Sequence, residues 1–208
     1  MNNLNVLMIN GSPRKDANSL LVCKEMKKIF NNNGIDTEII SIGNKDIRGC
    51  TACYSCSKTN KCVFDDIVNE IAPKFEKADG LVVTSPVYFA SPNGSVISLL
   101  DRLFCSTNFN KTMKVGASVS CARRGGTTAT LDVINKYFTF AGMPVASSSY
   151  WNIIHGASQN EAIKDEEGIQ TIRNLAENMS FLIKSINLGK EKFDVPDNES
   201  KIKTNFIR

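Results

Sequence analysis

Cys50, Cys53, Cys56 and Cys62 form a C-x2-C-x2-C-x5-C run, four thiols within thirteen residues. Thiolates spaced by two residues can converge on one face of an inorganic cluster while the intervening N–H groups point at sulfide, as in ferredoxin ligation. Tetrahedral zinc is a second guest for four thiolates. Zinc loops more often pair two separated C-x2-C knuckles, so three cysteines in a row lean toward iron and sulfide. A third reading leaves reduced thiols packed in a loop, with Asp65 and Asp66 opening the next helix. Cys23 reads as a core residue of its helix, and neither it nor Cys105 nor Cys121 has a partner at ligand spacing. Seven cysteines used in this way argue for thiols or metal ligands rather than a disulfide framework.

A second constellation runs from Gly11 to Ser19, between a short apolar run and a helical pattern. There a parallel sheet aims backbone N–H groups and a helix dipole at an anion. The hydroxyls of Ser12 and Ser19, the amide of Asn18 and the charge of Arg14 add donors suited to a phosphate monoester. Gly-Lys-Ser/Thr and G-x-G-x-x-G are both missing, which weakens ATPase and ordinary dinucleotide-fold readings. The competing view is a polar turn in which Ser19 or Asn18 merely caps the helix.

Two more loops fall at corresponding places. Thr84 to Gly94 holds Pro86 and Pro92, which fix an irregular backbone around Tyr88 and Phe89, aromatics able to border a flat heterocycle or simply to pack at a sheet end. Ser120 to Gly126 brings Arg123 and Arg124 with Gly125 and Gly126 just ahead of a helix, suited to close approach to a ring's polar edge. G-x-S-x-G and H-E-x-x-H are absent, and the one histidine, His155, reads as a loop or interface residue.

The elements that must position these loops follow from hydrophobic periodicity. Strands are predicted at 5–10, 37–42, 81–84, 114–120 and 145–150, with helices at 19–33, 67–77, 94–103, 127–141 and 165–186. Strands that alternate with helices pair in parallel, because each crossover carries a helix over the sheet face. The expected fold is a three-layer, doubly wound α/β sheet of five parallel strands in the order 2-1-3-4-5, its ligand loops following strands 1, 3 and 4. Residues 1–188 form one domain with a cysteine-rich insertion at 48–64, and 189–208 reads as a surface tail.

Composition fits this picture. The chain has 208 residues, 42% hydrophobic and 22% charged, and at that length it buries roughly 70% of its unfolded surface without needing a metal or disulfide staple. The net charge of +4 is spread among nearly as many acids as bases, unlike a nucleic-acid-binding arm. Apolar stretches fall far short of the ~18 residues that span a bilayer. Arg14 and Lys15 follow the first apolar run, the reverse of a secretory signal, so a cytoplasmic location is expected.

The Gly-Ser-Pro-Arg-x-x-x-Asn-Ser run, the Ser-Pro-Val-Tyr-Phe-Ala-Ser-Pro run and the Arg-Gly-Gly loop together resemble the NAD(P)H-dependent FMN reductase family of flavodoxin-like proteins, over about residues 4–186. The resemblance implies FMN, its phosphate held by Ser12, Arg14, Asn18 and Ser19, with Leu20 also among the cofactor-binding residues. It further implies that Pro86, Val87, Tyr88 and Phe89 line the ring and that Ala122, Arg123, Arg124, Gly125 and Gly126 contact its far side. The cysteine run joined to such a chain resembles the iron-sulfur flavoprotein subfamily, which implies a 4Fe-4S cluster on Cys50, Cys53, Cys56 and Cys62. By the same resemblance the expected partners are a nicotinamide nucleotide, a small-molecule or ferredoxin-like acceptor, and further copies of the chain in a dimer or tetramer. An electron carrier without a small-molecule substrate is the alternative.

Overall fold

The computed structural model describes all residues except Met1, Asn2, Asn198, Lys201, Lys203, Asn205, Ile207 and Arg208. The core is built on β1 (Asn5–Asn10), β2 (Asp36–Ser41), β3 (Gly80–Tyr88), β4 (Ser91–Pro92), β5 (Val115–Ala122) and β6 (Ile153–His155). Its helices are α1 (Asn18–Asn32), α2 (Cys56–Thr59), α3 (Ile67–Lys77), α4 (Gly94–Ser106), α5 (Thr127–Phe140) and α6 (Glu166–Phe193). The main sheet is parallel in the order β2-β1-β3-β5-β6, and the two-residue β4 folds back antiparallel on β3. Apart from β4, this is the doubly wound order read from the sequence.

Side-chain alternation along β1 divides the interior into two cores. Val6 and Met8 point to one face and pack with Val22, Met26, Leu175 and Met179 of α1 and α6. Leu7 and Ile9 point to the other and pack with Ile71, Phe75, Leu99, Leu103 and Phe138 of α3, α4 and α5. A strand buried on both faces must be apolar at every position rather than at every second one, as Val6 to Ile9 is. Loops at the strands' carboxyl ends are left as the open rim where such sheets bind ligands.

Two expected elements differ. The last core strand is Ile153–His155, not 145–150. Val145 makes only an isolated bridge to Gly116, with Ala146 N–H donating to the Gly116 carbonyl, and Ser147, Ser148 and Ser149 then leave the sheet because they offer nothing to bury. The closing helix continues to Phe193, seven residues past its predicted end. The tail expected at 189–208 thus begins as helix, and part of it lies outside the described residues. Among the described residues no helix is long and apolar enough to cross a membrane.

Candidate functional site

Asn10 ends β1 fully buried and organises the turn that follows it. Its Oδ1 accepts from the Ser19 hydroxyl at 2.7 Å and from Ser12 N–H at 3.3 Å, while its Nδ2 donates to Ser41 Oγ at 3.0 Å. Ser12 Oγ accepts from Arg14 N–H at 3.2 Å. These bonds wrap residues 11–17 over the start of α1, which has no side-chain cap and no acidic residue in its first turn. An uncapped helix start keeps its N–H groups and positive dipole end for an outside anion. Gly11 is required where the turn passes β3: a Cβ there would lie 2.2 Å from Val96 and 2.6 Å from the Thr84 carbonyl oxygen.

Ser12, Arg14, Asn18 and Ser19 share a pocket at the carboxyl rim with Pro86, Val87, Tyr88, Ala122 and Arg123. Nine predicted residues from three loops therefore meet in one place. Leu20, Phe89, Arg124, Gly125 and Gly126 lie off its wall. Phe89 and Ala90 form the tip of the β3–β4 hairpin, both with positive φ (+49° and +57°), the pair of left-handed residues that a two-residue turn of this hand requires. That geometry turns the Phe89 ring fully into solvent. Gly126, at φ +86°, lets α5 start against this hairpin: a Cβ would come 2.7 Å from Ala90 Cα and 2.9 Å from Val87 Cγ1.

The fourth wall, Gly156, Ala157, Ser158 and Gln159, was not anticipated. It follows β6, so shifting the strand from 145–150 to 153–155 shifts the ligand loop with it. A Gly-Ala-Ser-Gln-Asn run after Ile153-Ile154-His155 was the available signal. Asn18 clamps this wall, donating from Nδ2 to the Gly156 and Ser158 carbonyls and accepting at Oδ1 from Ala162 N–H. Glu161 Oε2 accepts from the N–H groups of Ala157 and Ser158, which hold its carboxyl below the usual range. His155 is off the pocket wall. Cys121 lies on it as a neutral thiol, because burial followed by the neighbouring Cys23 pushes its pKa far up.

The donor set fits a flavin mononucleotide. Arg14 and Arg123 outnumber the single carboxylate on the wall, Asp16. Hydroxyls and an uncapped helix start supply polar donors, and Pro86, Val87, Tyr88 and Ala122 supply apolar wall.

The cysteine loop builds a second cavity, about 220 Å³, lined by Cys50, Cys53, Cys56 and Cys62. Ala52 and Tyr54 flank Cys53 with φ of +51° and +56°. Each left-handed residue reverses the local chain direction at a cost of about 1–2 kcal/mol, and two of them swing three cysteines toward one space. Ser55 N–H lowers the pKa of the exposed Cys53 thiol. Asn69 of α3 fixes the far end, accepting from Cys62 N–H and donating to the Cys62 and Phe64 carbonyls. Among the described residues, no three Cys, His, Asp or Glu side chains meet at a single-ion position.

Cys105, which has no partner at ligand spacing in the sequence, also lines this cavity. Burial raises its pKa first, and contact with Cys56 and Cys50 adds to the rise. Sequence distance hid this, since α4 brings Cys105 in from the far side of the fold.

The chain is similar in sequence and in fold to known flavoproteins. The family described as NADPH-dependent FMN reductase matches residues 4–158. An iron-sulfur flavoprotein of Methanocaldococcus jannaschii is 31% identical over 191 residues, covering 88% of this chain and 99% of that protein. One from Methanosarcina thermophila is 31% identical over 188 residues, covering 88% and 97%. Among solved structures, RosB bound to 8-demethyl-8-formylriboflavin-5'-phosphate superposes with a TM-score of 0.70 at 15% identity, covering 99% of this chain and 94% of that one. FerB, an NAD(P)H:acceptor oxidoreductase of Paracoccus denitrificans, superposes at 0.65 and 15% identity, covering 88% and 98%. With three rim loops gathered into one phosphate-ready pocket and near-full-length likeness to iron-sulfur flavoproteins, the chain belongs to the NADPH-dependent FMN reductase family.

Proposed function

We propose that this protein is an FMN-dependent oxidoreductase that takes electrons from NAD(P)H and delivers them to a small-molecule or protein acceptor, with a 4Fe-4S cluster held by Cys50, Cys53, Cys56 and Cys62. The observation carrying the reading is the rim pocket, in which polar donors suited to a phosphate and apolar side chains from separate loops converge. FMN, when bound, supplies hydride acceptance and release of electrons singly or in pairs.

The chain's own residues bind and orient. Ser12, Arg14 and the N–H groups opening α1 hold the phosphoryl end, and Asn18 keeps the 156–159 wall in place. Pro86, Val87 and Tyr88 present a rigid edge to the ring, because a proline and the β4 pairing fix that backbone. Arg123 places a positive charge where electron density accumulates. Tyr88 is partly exposed and Phe89 fully so at the pocket's rim, which suits a second copy of the chain completing the ring site.

The cysteine cavity favours a second reading, an electron carrier between redox proteins. Four motif sulfurs bordering one space suit a polynuclear cluster. One experiment separates the two. Anaerobic stopped-flow mixing with NADPH or NADH should bleach the flavin absorbance within the enzyme's turnover time; bleaching by reduced ferredoxin alone would establish the carrier instead. Iron, sulfide and flavin assays on the same anaerobic sample test the cluster.

A further inference from the structure

Arg102 is the largest fully buried side chain among the described residues, 1% exposed, and its guanidinium faces the cysteine loop. Its donors are all used. Nη1 and Nη2 grip both carboxylate oxygens of Asp66 at 2.6 and 2.9 Å, and they also reach the carbonyls of Arg48 and Phe64, each at 3.3 Å. The remaining donor, Nε–H, points at Cys62 Sγ from 3.2 Å. Two cations approach the Phe64 ring, Arg48 at 4.5 Å and Arg102 at 5.1 Å from its centre.

This arrangement is more elaborate than a surface loop needs. Asp66 already has a structural task, capping α3 by accepting from Val68 N–H. A buried cation is costly unless paired, and Asp66 pairs it. The pairing orients the rigid fork so that the one donor left over falls on a sulfur. Arg102 and Cys105 lie three residues apart on α4, so one helix face supplies both the cation and the fifth thiol of the cavity wall.

Resting on the cluster reading above, we propose that Arg102 is a positioning residue that holds the Cys62 sulfur by an N–H···S bond and makes the cluster bound there easier to reduce. The physical reason is charge. One electron enters, no bond breaks and no proton moves, so the site gains a full negative charge. With the Arg102 charge balanced by Asp66, it is the N–H dipole on the ligand sulfur that stabilises the more negative state, and hydrogen bonds to sulfur are a recognised control on such potentials. Cys50, Cys53 and Cys56 have no guanidinium donor to sulfur among the described residues.

The test is a redox titration of anaerobically reconstituted full-length protein, comparing wild type with Arg102→Lys and Arg102→Gln. Iron, sulfide and FMN content are measured alongside. Lysine keeps the charge but cannot reproduce the fork. Both variants should retain cluster and flavin, while the reduced-to-oxidised ratio at a fixed ambient potential falls about tenfold in Arg102→Gln, equivalent to about 59 mV for one electron, and by less in Arg102→Lys. Loaded variants with the wild-type potential overturn the proposal and leave the cluster reading intact. Wild type that takes up no iron and sulfide overturns both. Pulsed EPR of reduced wild type carrying 15N-arginine needs no variant to fold: a nitrogen coupling to the cluster is expected, and its absence sinks the proposal.

Discussion

The Ser19 hydroxyl donates to Asn10 Oδ1 at 2.7 Å, so the residue that ends β1 is bonded directly to the first turn of α1 across the intervening loop. The same asparagine holds Ser12 N–H and the Ser41 hydroxyl. Asn10→Ala would leave the Ser12 N–H and the Ser19 hydroxyl unpaired in a buried site, which costs about 1–3 kcal/mol. Fluorescence titration with FMN should show affinity weakened about tenfold, the equivalent of about 1.4 kcal/mol, together with a lower melting temperature. Wild-type affinity in Asn10→Ala would mean that the loop is shaped without it.

Gly126 allows α5 to begin against the β3–β4 hairpin. Alanine there meets Ala90 Cα at 2.7 Å and must also adopt φ +86°. The backbone term alone is about 1–2 kcal/mol. Because the obstacle is backbone, the hairpin carrying Val87 and Tyr88 has to shift. Gly126→Ala should therefore lower both the urea midpoint and FMN affinity, whereas Gly125→Ala, with open space around its Cβ, should do neither. Equal behaviour of the two variants would contradict this.

The sheet order and the three loops at its carboxyl rim were legible because they depend on local rules. Val6 to Ile9 reads as a strand buried on both sides, and glycines, prolines and hydroxyls mark the turns that follow such strands. What escaped the sequence was decided by distant partners. Val145 to Tyr150 has a strand-like start, but Ser147 to Ser149 give it no face to bury, and the shorter Ile153–His155 wins the pairing with β5. Asn10 looked like the polar end of a strand, and nothing local announced that it would collect three bonds. Cys105 and Arg102 reach the cysteine loop only through the packing of α4 against it, so no spacing within residues 50–62 could point to them.

Cys105 shares the cavity wall with Cys56 and Cys50. In cluster-free protein, a small-molecule disulfide should therefore join Cys105 to one of them. Each sulfur gives up its proton, and the pair passes two electrons to the reagent. Peptide mapping by mass spectrometry should recover the cross-link from wild type and not from Cys105→Ser. Iron and sulfide should still load into Cys105→Ser, since four motif thiols remain, but not into Cys53→Ser, which should keep its FMN. Recovery of Cys105 as a free thiol after oxidation would show that the three sulfurs do not meet in solution.

Lys111 provides a pH test of the second core. Its ammonium donates to the Thr107 and Phe109 carbonyls and lies 4.2 Å from the centre of the Phe109 ring. Burial, reinforced by the nearby Lys114, lowers its pKa from 10.5 to about 8. Between those two values the unfolded chain binds a proton that the folded chain has released. Stability therefore rises with pH across that window, and it is below pH 8, where both states are protonated, that burial of the charge counts fully against the fold. Lys111→Met removes the titration. Lost carbonyl contacts shift the variant's stability by an amount independent of pH, so the slope carries the information. Urea midpoints measured from about pH 7 to 10.5 should show wild type gaining on Lys111→Met as pH increases. Parallel curves would mean that the ammonium is solvated well enough to titrate as an ordinary lysine.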